Sequence, residues 1–361
     1  MLEETNSDKS GLKVAVGMSG GLDSSVVAGL MKESGYQVMG LTLHLFKEGS
    51  RCCSLDDIER ARKVCEYLGI RHYSVNAVEL FEEAIINPFV EGYASGITPS
   101  PCVLCNQRIK FGALLDRARQ VGCTHVATGH YVRKEKKAGS WHLYRAVDPD
   151  KDQSYFLHRL SQNQLEHSLF PLEGWTKEEV RRYAEERGLP VATSGKAESQ
   201  DLCFITEAGP APFVERYHPE LRRPGRIVDD DGRDLGGHDG FHRFTVGQRK
   251  GLGVASTSPL YVKRLDENSN TVVVARRSGV VSESCLVKDM HWVSGYPEDG
   301  DDLYTVRVRY RHPGSDARIE LENECSVRVY FTEPQFAVAP GQAAVIYRGD
   351  EILGGGWIAK E

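Results

Sequence analysis

No apolar run in this sequence approaches the roughly 18 to 20 residues that a membrane-spanning helix needs, which argues against a helical membrane protein. The Met1 to Gly11 segment has no apolar stretch of the signal-peptide kind. It is polar and carries both signs of charge, so a short loose tail, no membrane partner and a cytoplasmic location are expected. An excess of positive charge is also missing: 45 Lys and Arg stand against 51 Asp and Glu, a formal net charge of −6. This counts against a broadly basic nucleic-acid binder but leaves room for a local positive surface. Short basic clusters exist at Arg133-Lys134 with Lys136-Lys137, at Arg249-Lys250, and at Arg307, Arg309 and Arg311. Each alone reads as a solvated face. No internal repeat and no low-complexity segment is present, there is no G-x-x-x-x-G-K-S/T phosphate loop, and a single C-x-x-C pair has no second to complete a four-cysteine zinc site.

What is present fits a soluble globular protein, with 40% hydrophobic and 27% charged residues. At 361 residues the chain exceeds one ordinary core, and two or three domains are expected. The first 130 or so residues alternate strand-like and helical patterns. Val14-Ala15-Val16, Val38 to Phe46, His72 to Val75 and His125 to Thr128 read as strands. Val26, Val27, Leu30 and Met31, then Ile58, Ala61, Val64, Cys65 and Leu68, then Phe111, Leu114, Leu115 and Ala118 read as helix faces. This alternation predicts an α/β domain with a parallel sheet covered on both faces. From about Pro210 the texture changes, and a turn-rich stretch from Pro224 to Gly240 predicts a hairpin in a small α+β module. Beyond Pro259 short β-rich runs recur at Leu260–Val262, Thr271–Ala275, Tyr304–Tyr310, Ser326–Phe331 and Ala343–Tyr347, which predicts a small antiparallel barrel or sandwich. The boundaries drawn are 1–207, 208–278 and 279–361.

Between the first strand and first helix lies Ser19-Gly20-Gly21-Leu22-Asp23-Ser24. Two glycines let backbone approach a phosphate, and the helix N-terminus supplies N–H donors. Ser24 and Ser25 add hydroxyls, with Ser24 a candidate helix cap. Asp23 is out of place beside an anion unless Mg²⁺ or a backbone amide requires it. The pattern resembles the pyrophosphatase loop of the PP-loop ATPases, which implies activation of a carbonyl-type oxygen as an adenylate. Ligands of open α/β sheets sit at the carboxyl ends of strands, which brings Leu43 and Gly129 within reach of the nucleotide.

Nine cysteines, an odd count in an expected reducing compartment, argue against a disulfide framework. Cys102-Val103-Leu104-Cys105 follows Pro99 and Pro101, with Asn106 a candidate N-cap that would set Cys105 at a helix N-terminus. The pair suits a redox role, half a zinc site or part of an iron–sulfur site. A third cysteine of interest is Cys203. Cys65, Cys123, Cys285 and Cys325 read as core or bystander residues, and Cys52-Cys53 as an adjacent pair in a loop. The polar stretch from Ala192 to Ser199 is expected to order on binding a partner.

Taken together, the chain resembles the tRNA-specific 2-thiouridylases, the MnmA family. The likeness is carried by Gly17-Met18-Ser19-Gly20-Gly21 through Ser24, Ala127-Thr128-Gly129-His130-Tyr131, Lys151-Asp152-Gln153-Ser154-Tyr155-Phe156-Leu157, Phe244 to Gly253, Arg309-Tyr310-Arg311 and Pro340-Gly341-Gln342. It implies a PP-loop (HUP-like) domain, a small central domain and a C-terminal antiparallel β-barrel. It implies use of ATP and Mg²⁺ to thiolate uridine 34 of tRNAs, those for Lys, Glu and Gln; the sulfur donor is a cysteine desulfurase, a relay protein or free sulfide, which the sequence does not distinguish. At matching positions it implies ATP contacts from Gly17 to Ser24, a nucleophilic Cys105 and a persulfide-carrying Cys203. It implies tRNA contacts at Ser100, Pro101, Cys102, His130, Lys151, Asp152, Gln153, Arg309, Tyr310 and Gln342. Cys102 departs from the pattern, which has an aspartate there with an acid–base role. Two sulfur routes follow: a Cys203 persulfide resolved by Cys105, or Cys102, Cys105 and Cys203 holding a four-iron–four-sulfur cluster whose fourth iron carries hydrosulfide. The cysteine in place of the aspartate favours the cluster. A PP-loop ligase for a small metabolite, or a non-catalytic tRNA-binding sulfur relay, are the other classes. The loop alone fits the first, and intact Asp23 and Ser24 argue against the second.

Overall fold

A computed structural model of the chain describes residues 11–46, 55–192, 202–206, 209–297 and 303–361. Cys52 and Cys53 lie outside the described residues, as does most of the Ala192 to Ser199 stretch. The chain divides into two compact units, Met1–Ala84 with Cys102–Thr206, and Ile85–Pro101 with Glu207–Glu361.

The first unit is built on a five-stranded parallel sheet. Its strands β1 (Lys13–Gly17), β2 (Gln37–His44) and β3 (Arg71–Asn76) alternate with helices α1 (Leu22–Glu33) and α2 (Leu55–Leu68). The order is β3, β2, β1, His125–Ala127, Ser168–Leu169. Val14, Ala15 and Val16 are fully buried, as a central strand covered on both faces requires. One core joins Val14 and Val16 to Val26 and Val27 of α1, Val64 and Cys65 of α2, and Val180 and Tyr183 of the helix Lys177–Glu186. Gly29 permits the last approach, since a Cβ there would meet the Tyr183 hydroxyl at 2.7 Å. Cys65 is core for the same kind of reason: its sulfur fills the space beside Gly40, where a Cβ would lie 2.5 Å away. Burial pushes its thiol up to about 12.

The second unit holds two β assemblies. A four-stranded sheet runs Tyr261–Asp266, Thr271–Ala275, Gly225–Val228, Asp234–His238, so the first two β-runs after Pro259 join the hairpin module and not the barrel. The cause is pairing: Thr271–Ala275 lies parallel to Gly225–Val228 and antiparallel to Tyr261–Asp266. The barrel follows the order Val281–Trp292, Ser326–Phe336, Ser315–Asn323, Tyr304–Arg307, Ala343–Arg348, Glu351–Ile358. It closes where the last of these pairs with the first. Closure removes exposed edges. Val287, Val306, Val329 and Ile346 fill its interior. Among the described residues no helix is long and apolar enough to cross a membrane.

Candidate functional site

The loop after β1 is held by its own chain and by the neighbouring strand. Met18 N–H donates to Leu41 O at 2.8 Å, and the Thr42 hydroxyl donates to Met18 O at 2.8 Å. Gly20 takes a left-handed φ of +69°, and a Cβ there would sit 2.4 Å from the carbonyl oxygen of Asp57. Only glycine fits that turn. Ser24 does not cap α1. Gly21 occupies the cap position without a side-chain bond, and Ser24 lies inside the first turn. The Ser24 hydroxyl donates to Gly21 O at 3.1 Å and accepts from Ser19 N–H at 3.3 Å, while Ser25 donates to the same carbonyl at 2.8 Å. Both hydroxyls thus stiffen the loop from within.

The loop opens on a cavity of about 200 Å³ lined by Gly17, Met18, Ser19, Asp23 and Ser24 together with Leu43, Gly129, His130 and Gln153. Leu43 and Gly129 therefore lie beside the loop, whereas Gly20, Gly21 and Leu22 are not among the lining residues. Gly129 lets the two segments meet: a Cβ there would come within 2.8 Å of the Asp23 Cβ and 3.2 Å of Ser24 N. The sequence reading missed the rest of the wall, which is Leu41, Leu45, Thr128 and, from the helix that carries Cys105, Ile109, Lys110 and Leu114. The apolar members carried no signal beyond core periodicity.

Asp23 is the one carboxylate among the described lining residues. It is neither bare nor held by a backbone amide. Lys177 Nζ lies 2.7 Å from its Oδ1, and the Tyr131 hydroxyl donates to the same oxygen at 2.8 Å. Neither partner was singled out from sequence, although Tyr131 ends the Ala127 to Tyr131 string and Lys177 opens a helix after Thr176. His130 is buried, with Nδ1 2.8 Å from the Thr128 hydroxyl and its ring 5.5 Å from that of Phe111. Burial first, and Lys110 second, hold its pKa well below the ordinary value, so it is neutral near pH 7.

The cysteine helix begins at Pro101, with an α-turn through Leu104 and a π-helical stretch from Cys105 to Ala113. Proline suits a first helical position because its missing N–H would have had no helical partner. The expected cap at Asn106 is therefore overturned. Asn106 is buried inside the helix, its Nδ2 donating to Phe156 O at 3.3 Å. Cys105 lies a turn inside and buried, and Cys102 is half-buried in the first turn. Cys203 is half-buried, beside Phe204, which packs on Phe46 and Phe81. Among the described residues no three Cys, His, Asp or Glu side chains group to hold a metal ion. Cys123 and Cys285 are buried with raised pKa, Cys285 to about 12, and Cys325 is exposed.

The remaining candidates have defined places. Asp152 is buried, and its carboxylate accepts from Ala146 N–H, Ser154 N–H and the Ser154 hydroxyl, which orders the turn after Lys151. Gln153 Oε1 accepts from Tyr131 N–H at 3.1 Å. In the second unit, Arg309 donates to Phe336 O at 3.1 Å, and the Tyr310 carbonyl accepts from Arg307. Gln342 donates through Nε2 to Thr98 O at 2.9 Å and Pro99 O at 3.4 Å, while Thr98 N–H donates to Pro340 O at 2.8 Å. Gly341, at φ +86°, leaves room for this contact, since a Cβ would lie 3.1 Å from Thr98 N. The segment running into Ser100 and Pro101 is thereby strapped to the barrel.

Comparison with known proteins covers nearly the whole chain. Residues 12–207 match the family model described as the tRNA methyl transferase HUP domain. Residues 211–276 match the PRC-barrel domain of that name, and 282–358 the aminomethyltransferase beta-barrel domain. The tRNA-specific 2-thiouridylase MnmA of Synechococcus sp. (strain JA-3-3Ab) is 48% identical over 352 residues, covering 96% of this chain and 94% of that protein. The protein of the same name from Halothermothrix orenii is 43% identical, covering 97% and 99%. A solved 4-thiouridine synthetase–RNA complex with bound ATP is far more distant, at 16% identity and a TM-score of 0.37, covering 58% of this chain and 51% of that one. A HUP domain, a PRC-barrel domain and a closed C-terminal barrel, aligned end to end with such relatives, mean that this chain belongs to the tRNA-specific 2-thiouridylase (MnmA) family.

Proposed function

We propose that this protein thiolates uridine 34 of tRNA at C2, using ATP to activate the base. The observation that carries the reading is the PP-loop cavity, whose wall includes the helix bearing Cys105. That helix ties the nucleotide and a thiol to one rigid element. Backbone N–H groups at the start of α1 face the anionic end of ATP. Mg²⁺ bound with ATP would offset phosphate charge. O2 of uridine bonds to the α-phosphorus as pyrophosphate leaves, turning a poor leaving oxygen into AMP. The terminal sulfur of a Cys203 persulfide then bonds to C2, and AMP departs with O2. Cys105 thiolate attacks the Cys203 sulfur. The S–S bond breaks toward the base, leaving 2-thiouridine and a Cys105–Cys203 disulfide. An external dithiol reduces that disulfide, and a cysteine desulfurase or relay protein restores the persulfide.

A cluster held by Cys102, Cys105 and Cys203 is the second sulfur route, and no step is derived through it. The neutral His130 in the cavity wall and the barrel residues Arg309, Tyr310 and Gln342 are assigned to tRNA, as are Lys151, Asp152, Gln153, Ser100 and Pro101. The test is incubation with unmodified tRNA, ATP, Mg²⁺ and a persulfide donor. One AMP and one pyrophosphate per 2-thiouridine are expected. ATP–pyrophosphate exchange that needs a small metabolite and ignores tRNA would replace this reading with a metabolite ligase.

A further inference from the structure

Lys177 is a costly residue where it stands. It opens a helix directly after Thr176, whose hydroxyl accepts from Glu179 N–H at 3.3 Å while the Glu179 carboxylate accepts from Thr176 N–H at 2.7 Å. A cation at a helix N-terminus opposes the helix dipole. This one is also buried, with only 5% of its surface exposed. Burying an ammonium is unfavourable unless it is paired. Asp23 is equally misplaced by itself, as an acid in a loop built to receive phosphates. Each residue accounts for the other. The Lys177 ammonium lies 2.7 Å from Asp23 Oδ1 and 5.9 Å from the centre of the Tyr131 ring, whose hydroxyl donates to that same oxygen. Lys177 N–H is anchored in turn on Asp148 Oδ2 at 3.0 Å. Asp23 keeps 31% of its side chain exposed and lines the cavity, whereas Lys177 does not line it.

We infer that Lys177 is a positioning residue for nucleotide binding. It acts through Asp23 by pinning Oδ1 together with Tyr131 and cancelling a charge that would otherwise repel the ATP phosphates. The cation thus sits 154 positions along the chain from the loop it serves, because this loop has no lysine of its own. The inference rests on the proposed use of ATP, and the experiment separates the two. Mg·ATP affinity is measured by calorimetry without tRNA for the wild type, Lys177→Met, Lys177→Arg, Asp23→Asn and the Asp23→Asn/Lys177→Met double variant, with Tm recorded for each. Lys177→Met is expected to weaken Mg·ATP binding on the order of tenfold or more, with Lys177→Arg recovering part of the loss. In the Asp23→Asn background the same change is expected to cost little, since the charge it cancels is gone. If Lys177→Met does not fold, Lys177→Arg and the double variant carry the comparison. Equal losses in both backgrounds, or a lower Tm with unchanged affinity, would overturn the inference and leave Lys177 a structural residue. A wild type that binds no ATP would instead remove the functional reading.

Discussion

The nucleotide loop and the cysteine helix face one cavity but are held in different ways. The loop is held by its own polar groups and neighbours: Gly20 packs close against Asp57, both serine hydroxyls bond to Gly21 O, and Asp23 is held by Lys177 and Tyr131. The cysteine helix instead carries Cys102 half-buried in its first turn and Cys105 buried beyond it, and among the described residues no three Cys, His, Asp or Glu side chains group to hold a metal ion. Phosphate binding needs a fixed cradle, because preorganised donors are what make an anion site strong. On the proposed route Cys203 and Cys105 each meet different partners in turn, which asks for accessible thiols more than for a fixed cradle.

The sharpest way to break this contrast is at the thiols. Cys105→Ser and Cys203→Ser are each expected to lower 2-thiouridine formation on the order of 10³-fold or more, with Mg·ATP affinity unchanged. Mass spectrometry of the tRNA and calorimetry read the two halves. Cys102→Ser should keep most activity. About four iron atoms per chain in anaerobically purified protein, lost in Cys102→Ser, would replace the persulfide route with the cluster route.

At the loop, Gly20→Ala forces a Cβ to within 2.4 Å of Asp57 O at a φ of +69°. Stability is expected to fall by about 1–3 kcal/mol, and Mg·ATP affinity with it. Denaturant unfolding and calorimetry check both. A smaller, selective effect is expected at the barrel strap. Gln342→Ala removes the bonds to Thr98 and Pro99, and should lower kcat/KM for tRNA by about tenfold while sparing Mg·ATP binding.

The smallest effect concerns pH. His130 has a depressed pKa when folded, so the folded chain resists a proton that the unfolded chain accepts below about 6.5. Its contribution is present above that value and is lost as pH falls, with a slope of up to about 1.4 kcal/mol per pH unit. His130→Gln should flatten this part of a urea-denaturation series between pH 7 and 5.

Several elements were legible locally. Val14 to Val16, the α1 and α2 stripes and the loop carry their meaning in short windows, and β1, α1, β2, α2 and β3 lie where periodicity put them. Other elements were obscured. Glu351–Ile358 is a barrel strand despite Gly354-Gly355-Gly356, because Cβ atoms at Gly354 and Gly356 would strike the backbone of His291 and Lys288 on the paired strand. Ser315–Asn323 is polar and largely exposed, so its alternation is faint. The Asn106 cap failed because a proline five residues earlier had already begun the helix.

Sequence alone determined the class of chemistry: a glycine–serine–aspartate loop after a buried strand, and cysteines in a C-x-x-C pair with a distant third. Those signals are short-range, and the chain's own sterics and polar groups produce them. Only the tertiary structure decided which side chains complete the site. Lys177 reaches Asp23, Ile109 and Leu114 wall the cavity, and Gln342 holds the strap at Thr98. Each is a long-range pairing. It exists because burial of apolar faces packs distant segments together, and a charge or amide buried in that process must find its partner wherever the fold places one.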